Sequence, residues 1–228
     1  MFKYVIFDLD DTLLDFSRGE REGVQKILKE HGIKDIDHGF QIYLSINKHV
    51  WEQIEAGKPS QKLVDTRFES TFNKLGIKVD GKKIERQYRN ILNHNFYTLN
   101  GAEKLLQDLK KQNLTLLVGT NGIKHTQIDR LNGSGLDKYF DHYFISGDIG
   151  FNKPDKRFFV PIFKAYPDLS KGNTIMIGDS MKSDILGSRS AGLKNIWFNP
   201  KYAANNFDFK PTFEVHNYRE IEEILKDN

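Results

Sequence analysis

The stretch Tyr4-Val5-Ile6-Phe7-Asp8-Leu9-Asp10-Asp11-Thr12-Leu13 decides the fold. β-Branched and aromatic residues run without a polar interruption up to Asp8. That pattern predicts a short strand over residues 4–9, buried on both faces as in a parallel sheet. Binding sites in open parallel sheets lie at the carboxyl ends of the strands. This strand ends in a cluster of acids, so the remaining strand ends become the places to look.

After Asn100-Gly101 the pattern alternates between helix and strand. Leu105, Leu106 and Leu109 mark a helix, and Leu114–Gly119 a strand. Helices over Ile123–Leu131, Asp155–Ala165, Lys182–Ala191 and Tyr218–Leu225 then alternate with strands at His142–Ser146, Asn173–Gly178 and Lys194–Asn199, with a short one near Thr212–His216. Such alternation builds a parallel sheet with helices on both faces. Residues 16–97 differ in kind. Apolar residues recur there at helical spacing in four groups: Val24, Ile27, Leu28; Tyr43, Ile46, Val50, Ile54; Val64, Phe68, Phe72, Leu75; and Ile84, Tyr88, Ile91, Leu92. Gly32, Gly57-Lys58-Pro59-Ser60 and the stretch from Gly76 to Gly81 separate the groups. The expected organisation is an α/β core of residues 1–15 and 98–228, with an all-helical insertion over 16–97.

Composition narrows the chemistry. The 228 residues are 38% hydrophobic and 29% charged, the balance of an ordinary globular chain. No cysteine is present, which excludes disulfides, thiol catalysis and cysteine-ligated metal sites. The seven histidines are scattered, with no pair at helical ligand spacing, so zinc is not expected. The net charge is +3, and no block of like charge is longer than a pair such as Lys82-Lys83. A nucleic-acid reader concentrates its basic residues, so nucleic acid is not expected as a partner. Residues 15–98 hold fifteen Lys and Arg against twelve Asp and Glu, which is the whole excess. The first apolar run is too short for a signal peptide, and no segment approaches the roughly 18 apolar residues that span a bilayer. The expected location is cytoplasmic, away from membranes.

The other strand ends complete the picture. They deliver Gly119-Thr120-Asn121-Gly122, then Asn152-Lys153-Pro154, then Gly178-Asp179-Ser180 with Asp184 close behind. Asp8, Asp10 and Asp179 would repel one another unless a cation sat between them. Oxygen-only ligation suits a hard ion, Mg²⁺ above all. Thr120, the Asn121-Gly122 amides at a helix start and Lys153 offer donors and positive charge to a phosphate. A carboxylate can attack phosphorus, and a second acid two residues on can protonate the leaving oxygen and then activate water.

Asp8-Leu9-Asp10-Asp11-Thr12-Leu13, Thr120-Asn121-Gly122, Lys153-Pro154-Asp155 and Gly178-Asp179 with Asp184 resemble, in order, the four motifs of the haloacid dehalogenase (HAD) superfamily. That superfamily also inserts a helical cap after its first strand, so the resemblance covers the whole chain. It implies a flavodoxin-like core, Mg²⁺ and phosphoryl transfer through an aspartyl-phosphate. By position it makes Asp8 the nucleophile and metal ligand, and Asp10 the acid/base whose main-chain carbonyl binds the metal. Thr120 and Asn121 would bind the phosphoryl group, Lys153 would stabilise the nucleophile and the charge, Asp179 would bind the metal, and Asp184 would support it from behind. Asp11 stands where many members have glycine, with its side chain expected to point away from the site.

Asn47-Lys48-His49-Val50-Trp51, Thr66-Arg67-Phe68-Glu69 and the cap length are most similar to the pyrimidine 5'-nucleotidase branch. Trp51 and Arg67 lie off the strictest apolar stripes and are expected to face substrate. The implied activity is a Mg²⁺-dependent phosphatase of a small phosphate monoester, a nucleoside 5'-monophosphate first. The alternatives are a sugar-phosphate or phosphoglycolate phosphatase or a phosphomutase on the same core residues, or a catalytically idle regulatory protein. A dehalogenase is disfavoured, because that chemistry needs neither Mg²⁺ nor Asp10.

Overall fold

The computed structural model describes residues 1–58 and 60–227. Pro59, in the predicted break between helices, lies outside the described residues. The chain forms two compact units, Met1–Asp15 with Phe96–Asn228, and Phe16–Asn95.

The first unit is built on six parallel strands: β1 (Tyr4–Phe7), β2 (Thr115–Thr120), β3 (His142–Ile145), β4 (Thr174–Gly178), β5 (Lys194–Phe198) and β6 (Phe213–Val215). Their order is β3-β2-β1-β4-β5-β6, so the earliest strand is central. β1 pairs with β2 through Phe7 opposite Val118, and with β4 through Phe7 opposite Ile177. Side chains along a strand alternate between faces, and the two faces feed separate cores. Val5 and Phe7 pack with Leu116, Val118, Ile175 and Ile177. Helices α5 (Ala102–Lys111), α6 (Lys124–Ser134) and α10 (Tyr218–Asp227) cover that side through Leu105, Leu131 and Ile221. Tyr4 and Ile6 pack on the other face with Leu117, Met176, Phe158, Phe159 and Ile162.

Two expected helices take a different form, and one short helix is unexpected. The one-turn helix α7 (Ser146–Ile149) follows β3 directly. The helix expected over Asp155–Ala165 is a 3₁₀ turn at Lys156–Phe159 followed by α8 (Val160–Ala165). Asp155 caps the turn by accepting from the Arg157 N–H, and Pro161 sits in the first turn of α8, where a missing N–H is harmless. The helix expected over Lys182–Ala191 opens as a π-helical turn at Met181–Ile185 before α9 (Leu186–Ser190). Single π turns cluster at functional sites, and this one carries Asp184.

The second unit is four helices: α1 (Phe16–Glu30), α2 (Ile36–Glu55), α3 (Ser60–Lys74) and α4 (Gly81–Asn93). Asp35 and Asp80 cap α2 and α4 by accepting from the His38 and Lys83 N–H groups. Val24, Leu28, Phe40, Tyr43, Phe68, Phe72, Ile84 and Tyr88 form its core. No helix among the described residues is long and apolar enough to cross a membrane.

Candidate active site

The direction of chain progress reverses around β1: β2 and β3 extend the sheet one way, β4 to β6 the other. Such a switch point leaves a crevice at the carboxyl ends of the central strands. β1 ends at Asp8, β4 at Gly178-Asp179, and β2 at Thr120. Three carboxylates meet there: one oxygen each of Asp8, Asp179 and Asp184 lie within 4.8 Å of one another.

One cation is built into this cluster. The Lys153 Nζ donates to Asp8 Oδ1 at 2.9 Å, to Asp184 Oδ1 at 2.6 Å and to the Gly119 carbonyl at 2.6 Å. All three ammonium donors are thereby used, and the side chain is buried. Burial by itself would lower the lysine's pKa; the Asp184 and Asp8 carboxylates override it and keep the ammonium charged. Asp184 is fully buried, its second oxygen accepting from the Ser180 N–H at 3.0 Å. The Trp197 indole N–H fixes the Asp179 main-chain carbonyl at 2.7 Å.

The acids outnumber their cation. Burial pushes the Asp8 carboxyl up to about 7 against the pull of Lys153, with Asp184 and Asp10 adding repulsion. Burial also raises Asp179 well above the carboxylate range, with Asp184, Asp8 and Asp11 adding to it. Three carboxylates and one ammonium leave two negative charges among oxygen-only donors. A hard divalent cation would cancel them, so the residues present fit a Mg²⁺ site.

Asp10 lies in the tight turn after β1, in which the Leu9 carbonyl accepts from the Leu13 and Leu14 N–H groups. Asp11 takes φ +54°. Only glycine enters that left-handed region freely, and Asp and Asn tolerate it best among the rest. This explains an acid where the motif favours glycine. Its charge nonetheless adds to the upward shift of Asp179. The Tyr218 hydroxyl donates to the Thr12 carbonyl at 2.7 Å and ties α10 to the same turn.

Several expected site residues are engaged elsewhere. The Asn121 side chain clamps the Lys153 backbone, donating to its carbonyl at 2.9 Å and accepting its N–H at 2.8 Å. The Asn121 side-chain amide thereby positions the lysine. The Gly122 N–H, expected to face a phosphate, donates to Ser146 Oγ at 2.9 Å. Arg67, expected to face substrate, has its charged end engaged inside the helical unit. Its guanidinium is buried in the helical unit, with Nε and Nη2 on the two Glu85 oxygens at 2.8 and 2.9 Å and Nη1 on Asn47 at 2.9 Å. It also lies 4.8 Å from the Tyr88 ring centroid. This buried pairing ties α3 to α4 through Glu85 and to α2 through Asn47. Trp51 is partly buried against Val50, Ile54 and Val64. Thr120 is fully buried at the end of β2, its hydroxyl accepting from Gln127.

Two residues of this constellation escaped the sequence reading. Gln127 and Arg130, three apart on α6, both reach Asp10. The available signal was their shared helix face directly downstream of Thr120-Asn121-Gly122.

Comparison with known proteins supplies the class. A family model described as haloacid dehalogenase-like hydrolase matches residues 5–198, and the chain belongs to that family. It is an enzyme of that hydrolase class. The chain is 39% identical to the pyrimidine 5'-nucleotidase PynA of Streptococcus pneumoniae, over 100% of its own length and 96% of the relative's. It is 30% identical to the pyrimidine 5'-nucleotidase YjjG of Escherichia coli K12, over 97% of both chains. Among solved structures it resembles a Bacillus subtilis protein named as a HAD-hydrolase, YfnB, whose crystal structure is bound to magnesium. That likeness has a TM-score of 0.91 at 35% identity, over 98% of both chains.

Proposed function

We propose that the protein is a Mg²⁺-dependent phosphatase of small phosphate monoesters, with a pyrimidine nucleoside 5'-monophosphate as its substrate. The observation that carries the reaction is the switch-point cluster: a buried nucleophilic carboxylate, excess negative charge fitted to one divalent ion, and a second acid two residues away. The similarity to the two pyrimidine 5'-nucleotidases supports the substrate.

In this reading an Asp8 carboxylate oxygen attacks phosphorus and the ester P–O bond breaks. The departing alkoxide takes its proton from Asp10. Water then attacks the aspartyl-phosphate, giving a proton to the Asp10 carboxylate, and the bond from phosphorus to Asp8 breaks to release inorganic phosphate. Lys153, anchored by Asp184 and by Asn121, orients Asp8 and offsets the incoming dianion. The Thr120 hydroxyl receives a phosphoryl oxygen. Asp8, Asp179 and the Asp10 carbonyl would hold the metal, with Asp184 behind them. When bound, Mg²⁺ supplies positive charge to the phosphoryl oxygens. The helical unit is assigned to substrate selection, with Trp51 as its candidate contact.

A panel of nucleoside monophosphates, sugar phosphates and phosphoglycolate, assayed with Mg²⁺ and with EDTA, tests the proposal. Pyrimidine monophosphates should be hydrolysed best, and only with metal. A preference for sugar phosphates overturns the substrate assignment, and full activity in EDTA overturns the metal.

A further inference from the structure

Arg130 is the largest fully buried side chain among the described residues. A guanidinium is buried only at a cost, which its partners must offset. Its Nη1 donates to Asp10 Oδ1 at 2.5 Å and to Gln127 Oε1 at 2.9 Å. Gln127 is also buried, and its Nε2 donates twice, to Asp10 Oδ2 at 3.1 Å and to Thr120 Oγ1 at 3.0 Å. Both oxygens of one carboxylate are thus held by adjacent turns of α6, and the same amide reaches the end of β2. Room has been made for that amide: a Cβ on Gly122 would come within 3.0 Å of Gln127 Cγ.

A purely structural arginine would be matched to a buried carboxylate with no other task, as Arg67 is to Glu85. Arg130 instead ends on the acid that the mechanism moves protons through, and that carboxylate is 28% exposed at the site. An ionised carboxylate has about four acceptor positions, so two donors leave two for a leaving oxygen or a water. We propose that Arg130 and Gln127 are positioning residues, which hold the Asp10 carboxylate and the Thr120 hydroxyl in one hydrogen-bonded frame. The inference rests on the reading of Asp10 as the acid/base. Removing either donor frees the carboxylate to rotate, and a misplacement of about 1 Å costs on the order of 10²-fold in rate.

The test compares Arg130→Met, Gln127→Met and Asp10→Asn, alone and combined. Each is assayed on the monophosphate the native protein turns over best and on p-nitrophenyl phosphate, whose leaving group needs no proton. Arg130→Met should lower kcat on the natural ester by about 10²-fold with KM within about threefold, and should lower it far less on p-nitrophenyl phosphate. In the Asp10→Asn background it should add no further loss, because the frame then has nothing to orient. Losses that multiply in the combined variant overturn the inference, whereas equal losses on both esters that do not multiply place the frame's effect on the shared hydrolysis of the aspartyl-phosphate. Normal turnover by Asp10→Asn overturns the acid/base reading itself. A crippled Asp10→Asn beside normal Arg130→Met and Gln127→Met overturns only the positioning role. Should Arg130→Met fail to fold, Gln127→Met decides alone, since it leaves the Arg130–Asp10 pair in place. A leaving-group-dependent loss supports the frame, and unchanged turnover refutes it.

Discussion

Replacing Arg67 by methionine keeps its volume and removes its charge, with a cost that the contacts of Arg67 set. Two charge-assisted hydrogen bonds to Glu85 and one to Asn47 disappear. Glu85, only 2% exposed, keeps Arg89 at 3.6 Å as its remaining cation. Breaking a buried pair by removing one partner costs about 3–5 kcal/mol. Arg89 offsets part of that, which places the loss near the lower end, about 3 kcal/mol, or roughly 10²-fold in the folding equilibrium of the helical unit. Urea titration followed by fluorescence can localise the effect, because the two tryptophans fall in different units: Trp51 among the helices and Trp197 on β5. The Trp51 transition should move to lower urea while substrate preference among the molecules still folded stays unchanged. Replacing Glu85 by leucine in the same chain should recover most of the loss, since an apolar pair of similar volume often substitutes for a buried ion pair without penalty. An Arg67→Met protein with unaltered unfolding and a changed preference among monophosphates would refute the burial argument and return Arg67 to the substrate.

Asp8→Asn should abolish turnover and leave circular dichroism unchanged, because Lys153 keeps Asp184 and the Gly119 carbonyl as partners; appreciable activity in the folded variant would remove Asp8 from the nucleophile's role. The Asp8 carboxyl, raised from 3.8 to about 7, sets a pH dependence. Through that window the folded chain holds a proton that the unfolded chain releases, so stability without metal falls as pH climbs from about 4 to about 7. Melting temperatures measured in EDTA and in excess Mg²⁺ should diverge over that range, with the metal form the flatter; parallel curves would contradict the charge count. Trp51→Ala should alter which monophosphate is preferred more than it alters turnover of p-nitrophenyl phosphate, and a uniform loss on all esters would assign Trp51 to packing alone.

The acids and the lysine were legible because the sheet makes them so. A run such as Val5-Ile6-Phe7 has one reading, a buried strand, and the residues just after it lie at a known edge. Asp8 and Asp179 directly follow strand ends that periodicity alone locates, and Lys153 lies eight residues beyond the end of β3. Gln127 and Arg130 lie on α6, where a polar residue off the apolar stripe reads as solvent-facing, and Arg67 lies on α3, where the same kind of position read as facing substrate. Their burial depends on partners distant in sequence: Glu85 on the next helix for Arg67, and Asp10, at a separation of 120 residues, for Arg130. Local pattern carries no record of such pairs. Asn121 was placed at the right edge, but only three-dimensional contacts reveal that its side-chain amide holds the Lys153 backbone. The π turn at Met181–Ile185 was missed for a related reason, because Asp184 reaches back to Ser180 and Lys153 from a stretch whose composition is ordinarily helical.

The central place of β1 has a consequence for synthesis. Residues 4–7 leave the ribosome well before their neighbours in the sheet, which begin at Thr115 and Thr174. The ammonium that meets Asp8 lies 145 residues downstream. At about 5–20 residues per second, Asp8 waits roughly 7–30 seconds for it. During that interval the helical unit, contiguous from Phe16 to Asn95, has every residue it needs to begin folding, whereas the sheet does not. Nascent chains released before β2 should therefore carry a folded helical segment on an unpaired central strand, an aggregation-prone species without phosphatase chemistry.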